Sequence, residues 1–574
     1  MKIQVVNIIR YIIICVLSLF IAASCSGNMR DIPEEDQEEN MEPEYDKPEP
    51  SAGAPVDGVR LAWDYSSYTT IADEGGCYAR VIRLESGGLM SACETAGTVA
   101  IRKCFDGGTT WGGKRVVINS YVQNGVKVNA ANAEICQLAD GTLLCAANYR
   151  PSAEGVAPWS IAVSISEDGG NVWSDRKIVY KADKYSANGC WEPYFLELPD
   201  GTVHLYFANE APYTNSSEQE ISVISSSDKG RNWSSKAKTV SFRKGYRDGM
   251  PVARIFNDQI VVAIEDNVYG NFVPFTVRCP LSDSWSSPIT ALSKGRSQAL
   301  LEDLQDNNIY AGAPYLLKLP SGEAVMSYQR AYTDNWELSL MEVVVGDEEA
   351  RNFTRPSRPF QVPYGSSCLW NSLALIDDST IAAVGSLNSD KVTKPVMKKA
   401  VVMTDMCVQP GSVSHLPVFI GSRGLSNMRA GIAHTESDFL FRFQVSDNTP
   451  FSSKDKSDGI YVYIDVLDKL WTDLYDGLYR IWVPSTGQAV ISRYYKGAWR
   501  KIESVSAVNE DMAGGYKINL TLPKSLLGEI NQSQIRVGMT LCDYSSTDTG
   551  YEESLADMNR NAPCTWMPFN IREL

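Results

Sequence analysis

The chain has 574 residues, 44% of them hydrophobic and 21% charged, with a formal net charge of −16 at pH 7. That length predicts two or more domains with sizeable cores. The acidic balance excludes nucleic acid as a natural partner, because a phosphate backbone requires a basic surface, and it weighs against a strongly acidic polymer as substrate.

In chain order a targeting segment comes first. Lys2 and Arg10 precede the apolar run from Tyr11 to Ala23, and "IAASC" ends at Cys25. So short an apolar core beside small residues predicts a secretory signal over 1–24 rather than a membrane span. The small residues before a cysteine resemble a bacterial lipobox. That resemblance implies lipid on Cys25 and anchoring in a bacterial cell envelope, at the periplasmic face of the outer membrane or on the cell surface; a plain signal peptide is the alternative. Residues 25–55 are acidic, rich in proline and poor in apolar side chains. Such a stretch cannot bury enough surface to fold and reads as a tether.

A repeat sets the architecture. An apolar run, a turn with Gly or Asp, and a second apolar run recur as "ARVIRLESGGLMSACE", "AEICQLADGTLLCAANY", "PYFLELPDGTVHLYFANE", "PVARIFNDQIVVAIEDN", "PYLLKLPSGEAVMSYQRA" and "NSLALIDDSTIAAVGS". The copies are spaced by roughly 50 to 65 residues, and each reads as the inner hairpin of a four-stranded unit. Six such units predict an all-β, six-bladed β-propeller over 56–406. A second repeat, "CFDGGTTW", "SEDGGNVW" and "SSDKGRNW", with the relic "SDSW" ending at Trp285, follows successive hairpins. It resembles the Asp box of sialidase-like propellers. Its Asp, Gly and Trp suit a turn that packs between blades, not catalysis.

In a propeller the start of each inner strand and the end of its neighbour open on one face. Those positions carry Arg80 and Glu94; Glu134, Tyr149 and Arg150; Trp191, Glu192, Asn209 and Glu210; Arg247, Asp248, Glu265 and Asp266; Tyr315, Gln329 and Arg330; Trp370 and Asn371. Aromatic faces, hydroxyl-binding polar groups and carboxylates together suit a carbohydrate. Only three histidines exist, His204, His415 and His434, and the chain holds no HExxH, CxxC, phosphate loop or nucleophile-elbow serine. Carboxylate chemistry remains.

The propeller resembles the sialidase superfamily, with Arg80 in "YARVIRL" similar to the first arginine of its substrate-gripping cluster. The catalytic Asp expected after the first hairpin is missing from "ACETAGTVAIRKC". The phrases "CWEPYFLELPDG", "DGMPVARIFNDQIVVAIED" and "YAGAPYLLKLPSGEAVMSYQ" resemble glycoside hydrolase family 93, exo-acting α-L-arabinanases on the same fold. That resemblance implies a retaining hydrolase cutting terminal units from α-1,5-arabinan, with Glu192 and Glu265 as its two glutamates. Their placement on neighbouring blades at one face predicts carboxylates close enough for retention. The apolar neighbours Trp191 and Pro193 point to Glu192 as general acid/base and Glu265 as nucleophile. Arg80, Arg150, Arg247, Asp248 and Gln329 are candidate ligands of substrate oxygens; Tyr149, Trp191, Tyr315 and Trp370 are candidate sugar platforms. Two other functions stay open. An exo-α-sialidase predicts three arginines meeting at the mouth with a tyrosine beside a glutamate. A non-catalytic glycan-binding lipoprotein predicts the two glutamates far apart or held in salt bridges.

After Cys407 the propeller phrase stops. "DFLFRFQVSD", "GIYVYIDVLD", "GLYRIWV", "YKINLTLP" and "IRVGMTLCD" predict an antiparallel β-sandwich over 407–574. Its strand order resembles carbohydrate-binding module family 9. Trp471, Tyr475, Tyr479 and Trp482 are either a binding platform or sandwich core. Cys542 and Cys564 are a candidate disulfide pair, while the other cysteines of the body read as small core residues. No cofactor or metal ligand set is implied, a structural calcium is left open, and a monomer is expected.

Overall fold

A computed structural model describes residues 52–404, 406–453 and 455–573; the predicted signal, Cys25 and nearly all of the tether lie outside them. Six antiparallel sheets succeed one another along the chain, each built outward from one inner strand. These strands are Gly76–Arg83, Val126–Gln137, Cys190–Glu197, Asp248–Phe256, Ala311–Lys318 and Ser367–Asp377. Blades one, three, four and five run outward in chain order over four strands, and blade two carries an extra strand, Tyr121–Gln123. Blade six takes its outermost strand from the start of the body: Arg60–Thr70 pairs antiparallel with Val392–Met403. The ring is therefore closed by hydrogen bonds between its two ends.

The second strands are mostly apolar and buried on both sides because blades pack face to face. All seven residues of Val203–Asn209 are buried. The Asp-box turns join third and fourth strands at the rim. Asp168 Oδ1 accepts the amides of Asn171 and Val172, each at 2.9 Å, and Asp228 Oδ1 accepts that of Asn232 at 2.7 Å. The box glycines Gly108, Gly170 and Gly230 have φ of +92°, +85° and +83°. A Cβ there would also strike the preceding blade, at Met397, Met90 and Leu144. The box is thus a spacer between blades.

One feature of the inner strands is not visible in the repeat. Each has a bulge near its start, and in each a non-glycine residue stands at positive φ: Tyr78 (+51°), Asn132 (+46°), Glu192 (+58°), Met250 (+52°), Ala313 (+50°) and Trp370 (+53°). Left-handed backbone costs an L-residue about 1–2 kcal/mol. Four of the bulge amides are held by a side chain from the preceding blade's second strand. Asn132 N–H donates to Glu94 (3.2 Å), Ala313 N–H to Glu265 (2.7 Å), Trp370 N–H to Gln329 (2.8 Å) and Tyr78 N–H to Ser386 (3.0 Å). Met250 N–H donates instead to Glu192, the bulge residue of blade three, at 3.1 Å. Tyr78, Met250 and Ala313 are buried against one another with Trp370 beside them, so the bulges plug the axial channel at its mouth.

From Cys407 the chain forms a separate twelve-stranded sheet. Its strands alternate, as in Gly515–Pro523, where every second residue is buried, because one face packs inward on Phe439, Phe441, Phe443, Ile460 and Val462. Cys407–Pro410 pairs with both Met567–Ile571 and Asn427–His434, which closes the sheet on itself into a flattened, sandwich-like barrel. Among the described residues no helix is long and apolar enough to cross a membrane.

Candidate active site

A cavity of about 690 Å³ opens above the plug, over blades three to six. Its floor is Glu192, Met250, Glu265 and Trp370. Three loops raise its walls: Gly270 to Phe272, Asn308 to Tyr310, and Tyr332 to Trp336. Trp336 lies 6.2 Å from Trp370 and 5.9 Å from Tyr310 between ring centroids, and 42% of its surface is exposed. The three rings make an aromatic wall with an open rim. No Lys, Arg or His is among the lining residues.

The two glutamates reach the cavity by different routes. Glu192 is the bulge residue of blade three, the one acid among six equivalent positions, and left-handed backbone turns it out of the strand. Glu265 ends the second strand of blade four opposite Gly249. The Glu192 carboxylate sits on the amide of Met250, and the Glu265 carboxylate fills the space a Cβ on Gly249 would need. The two acids thus stand over consecutive residues of one strand, whose Cα atoms are ~3.8 Å apart. Neither forms a salt bridge with any described residue. Burial raises both pKa values. The Glu192 charge adds to this for Glu265, pushing it to about 8, whereas Arg150 opposes the rise at Glu192.

Tyr310 was not foreseen. Gln329 Oε1 accepts the Trp370 amide, which can only donate, so the Gln329 Nε2 group faces Tyr310 and donates to its hydroxyl at 3.0 Å. That leaves the Tyr310 proton free to point elsewhere. Burial, then Glu265 and Glu192, raises its pKa and keeps it protonated. A Cβ on Gly312 would collide with the hydroxyl and with Glu265 Oε2 alike, which explains glycine there.

The remaining expected residues are placed differently. Gln329 is fully buried and positions Tyr310 and Trp370 rather than touching the cavity. Arg80 lies beneath the plug, 3.7 Å from Glu134, donating to the Trp370 and Asn371 carbonyls. Arg150 stacks over Trp191 at 5.1 Å and bonds Asn148 and Asn132. Trp191 packs on Trp159, with centroids 4.6 Å apart. Arg247 pairs with Glu210 and Gln219. Asp248 is corrected from substrate ligand to structural acid: it is fully buried and pairs with Arg296 at 2.5 Å, in a network that includes Asp266 and Arg243. Tyr149 and Tyr315 are not platforms. Tyr149 is core, its hydroxyl donating to the Asn119 carbonyl at 2.8 Å; Tyr315 is buried below the mouth against Tyr194 and Arg80. The three arginines therefore do not meet in the cavity.

In the C-terminal sheet Tyr475 and Tyr479 are buried, bonded to Asp465 and to the Gly528 amide. Trp471 packs on Tyr475 and Trp482 on Tyr461, each at 4.5 Å. Cys542 and Cys564 are free thiols, as are the other nine described cysteines, so the expected pair does not form.

The wall residues Phe272, Tyr310, Tyr332 and Trp336 come from loops that the hairpin repeat leaves out. Their one sequence signal is the aromatic and amide content of "YGNF", "NNIY" and "YTDNW" between strands that end on this face.

These features define a β-propeller with Asp-box turns and an acidic, aromatic mouth. Residues 141–249 match the BNR repeat-like domain. No curated protein matches the chain. Among solved structures it is similar to a protein of unknown function from Dyadobacter fermentans (16% identity, 60% of this chain and 100% of that one, TM-score 0.46). It is similar to an α-L-arabinanase from Penicillium chrysogenum (17%, 60% and 98%, 0.45) and a sialidase from Streptococcus pneumoniae (12%, 58% and 70%, 0.42).

Proposed function

We propose that the protein is a retaining glycoside hydrolase acting on a neutral sugar, exemplified by the terminal units of α-1,5-arabinan. The observation that carries this is a buried pair of carboxylates, paired with no cation, on the floor of an aromatic-walled cavity. Two adjacent carboxylates of unequal proton affinity are what glycosidic cleavage needs: one protonated, one charged. We assign the roles in the order opposite to that expected from sequence, because Glu192 has Arg150 as its first neighbouring charge and Glu265 has Glu192. Glu265 holds the proton at neutral pH and gives it to the leaving oxygen. Glu192, which Arg150 favours as the anion, attacks the anomeric carbon as the C–O bond breaks, forming a glycosyl ester. Water then attacks that ester, its proton returning to Glu265. The consecutive-residue spacing of the pair suits the ~5–5.5 Å separation of retaining enzymes rather than the wider gap that admits a water. Trp336 and Trp370 offer stacking faces, and Tyr310 a directed hydroxyl.

A cavity without a basic lining residue does not suit the carboxylate of a sialic acid. Incubation with linear α-1,5-arabinan and with a sialylated oligosaccharide tests this reading. Release of arabinose or arabinobiose, with the product's first anomer of retained configuration by NMR, is expected. Sialic acid release would sink it, and so would glycan retention without any product. We place this body on the cell envelope through Cys25, which metabolic labelling with a radioactive fatty acid tests: label lost in Cys25→Ala is expected.

A further inference from the structure

The C-terminal sheet carries a second polar cluster far in sequence from the cavity residues. Asp447 follows the strand Asp438–Ser446, Asp458 precedes Gly459–Asp465, and Asp543 lies near the end of Gln534–Tyr544. One oxygen of each lies within 4.8 Å of the others. Asp447 and Asp458 are buried and Asp543 partly so. No Lys or Arg among the described residues pairs with any of them. Three carboxylates so crowded and uncompensated are costly in a buried place.

Their hydrogen bonds fix their positions without neutralising them. Asp458 accepts the amides of Phe451 (2.5 Å) and Tyr544 (2.7 Å). Asp447 Oδ1 accepts that of Thr449 (2.8 Å). Asp543 Oδ2 accepts the hydroxyls of Ser422 (3.0 Å) and Ser426 (2.6 Å). A second oxygen on Asp447 and on Asp543 is left for another partner. An independent observation concerns Tyr516. Only 5% of it is exposed, its hydroxyl has no hydrogen-bond partner, and that hydroxyl feels the charge of all three aspartates. A buried hydroxyl without a partner costs about 1–3 kcal/mol, so its neighbourhood is incomplete without a ligand.

The geometry points to a calcium site at this end of the C-terminal sheet, formed by Asp447, Asp458 and Asp543, with the Tyr516 hydroxyl facing it. All-oxygen ligands of high negative charge select a hard cation. Calcium sits ~2.4 Å from its ligands, so oxygens across it are up to about 4.8 Å apart; magnesium, at ~2.1 Å, draws them closer and demands an octahedron. The ion ties Asp447 and Asp458 to the strand Gln534–Tyr544 and, through Asp543, to Ser422 and Ser426. It acts as a clamp on the sheet, and its test is independent of any hydrolysis.

Calorimetric titration of the chelator-treated, full-length protein with calcium chloride alone should show one equivalent bound, with a melting temperature raised by about 5 °C at saturation. Magnesium chloride should bind at least tenfold more weakly, and Asp447→Asn/Asp543→Asn should abolish binding. Absence of calcium binding at 10 mM, or equal binding by the double variant, overturns the site; equal affinity for magnesium overturns the assignment to calcium. If the double variant does not fold, terbium luminescence decides. Tyrosine-sensitised emission that calcium displaces and that Tyr516→Phe removes supports the site, whereas calcium-displaceable emission unchanged in Tyr516→Phe overturns it.

Discussion

Blades one and two carry the same device as blades four and five, yet only the latter pair opens onto a cavity. Glu94 and Glu265 occupy equivalent ends of second strands, each opposite the residue two before the bulge's end, and each accepts the next blade's bulge amide. Burial raises the pKa of both. At Glu94 the main counterweight is Arg150; at Glu265 the first neighbouring charge is Glu192, which adds to the rise. One backbone role is thus held in common, and the neighbouring charge decides which acid keeps a proton.

The sharpest way to break this comparison is to neutralise both positions. Glu265→Gln should lower kcat by about 10³-fold or more, in line with loss of a general acid, while Glu94→Gln should leave kcat within about twofold and Tm within a few degrees. Steady-state kinetics on arabinan read both. The next largest effect falls on the network that anchors Glu265's strand. Arg296→Ala strands Asp248 as a buried charge and leaves Asp266 with Arg243 alone, and should cost about 3–5 kcal/mol in denaturant melts.

Third comes a pH signature. The folded-state pKa of Glu265, about 8, lies above its ordinary value of 4.5, so the native state keeps a proton that the unfolded chain has lost. Wild-type stability should therefore fall as pH rises from 4.5 to 8. Glu265→Gln should flatten that fall and be the more stable protein above pH 8, a gain Glu94→Gln should match less fully. Thermal melts across pH 5 to 9 measure it. The smallest effect is on the wall: Trp336→Ala should raise KM by about 3–10-fold with kcat little changed, the scale of one lost ring contact.

The propeller was legible because its strands announce themselves: Val203–Asn209 is apolar at five of seven positions, and the Asp, Gly and Trp of each box recur at fixed offsets. The alternation of Gly515–Pro523 equally marked a sheet with one wet face. The site was legible only to the extent that strand ends fall on one face, which brought Glu192, Glu265 and Trp370 to attention. Tyr315 was misplaced because a bulge at Ala313 shifts the register of its inner strand, Tyr149 because its second strand packs it into the core between blades, and Asp248 because a buried arginine, Arg296, draws it inward. Bulges of this kind form at Tyr, Asn, Glu, Met, Ala and Trp alike, so side-chain type does not mark them. Tyr310 and Trp336 escaped because loops lie outside the repeat that organised the reading.

Arg60–Thr70 has a history as well as a place. It leaves the ribosome before any other strand of the ring and finds its partner, Val392–Met403, more than three hundred residues later. At ~5–20 residues per second, that edge waits many seconds with unpaired amides and carbonyls, a template for the wrong strand. Maturation of the ring is thus governed by its slowest, most distant contact, and a chain halted within blade six would expose two open edges at once.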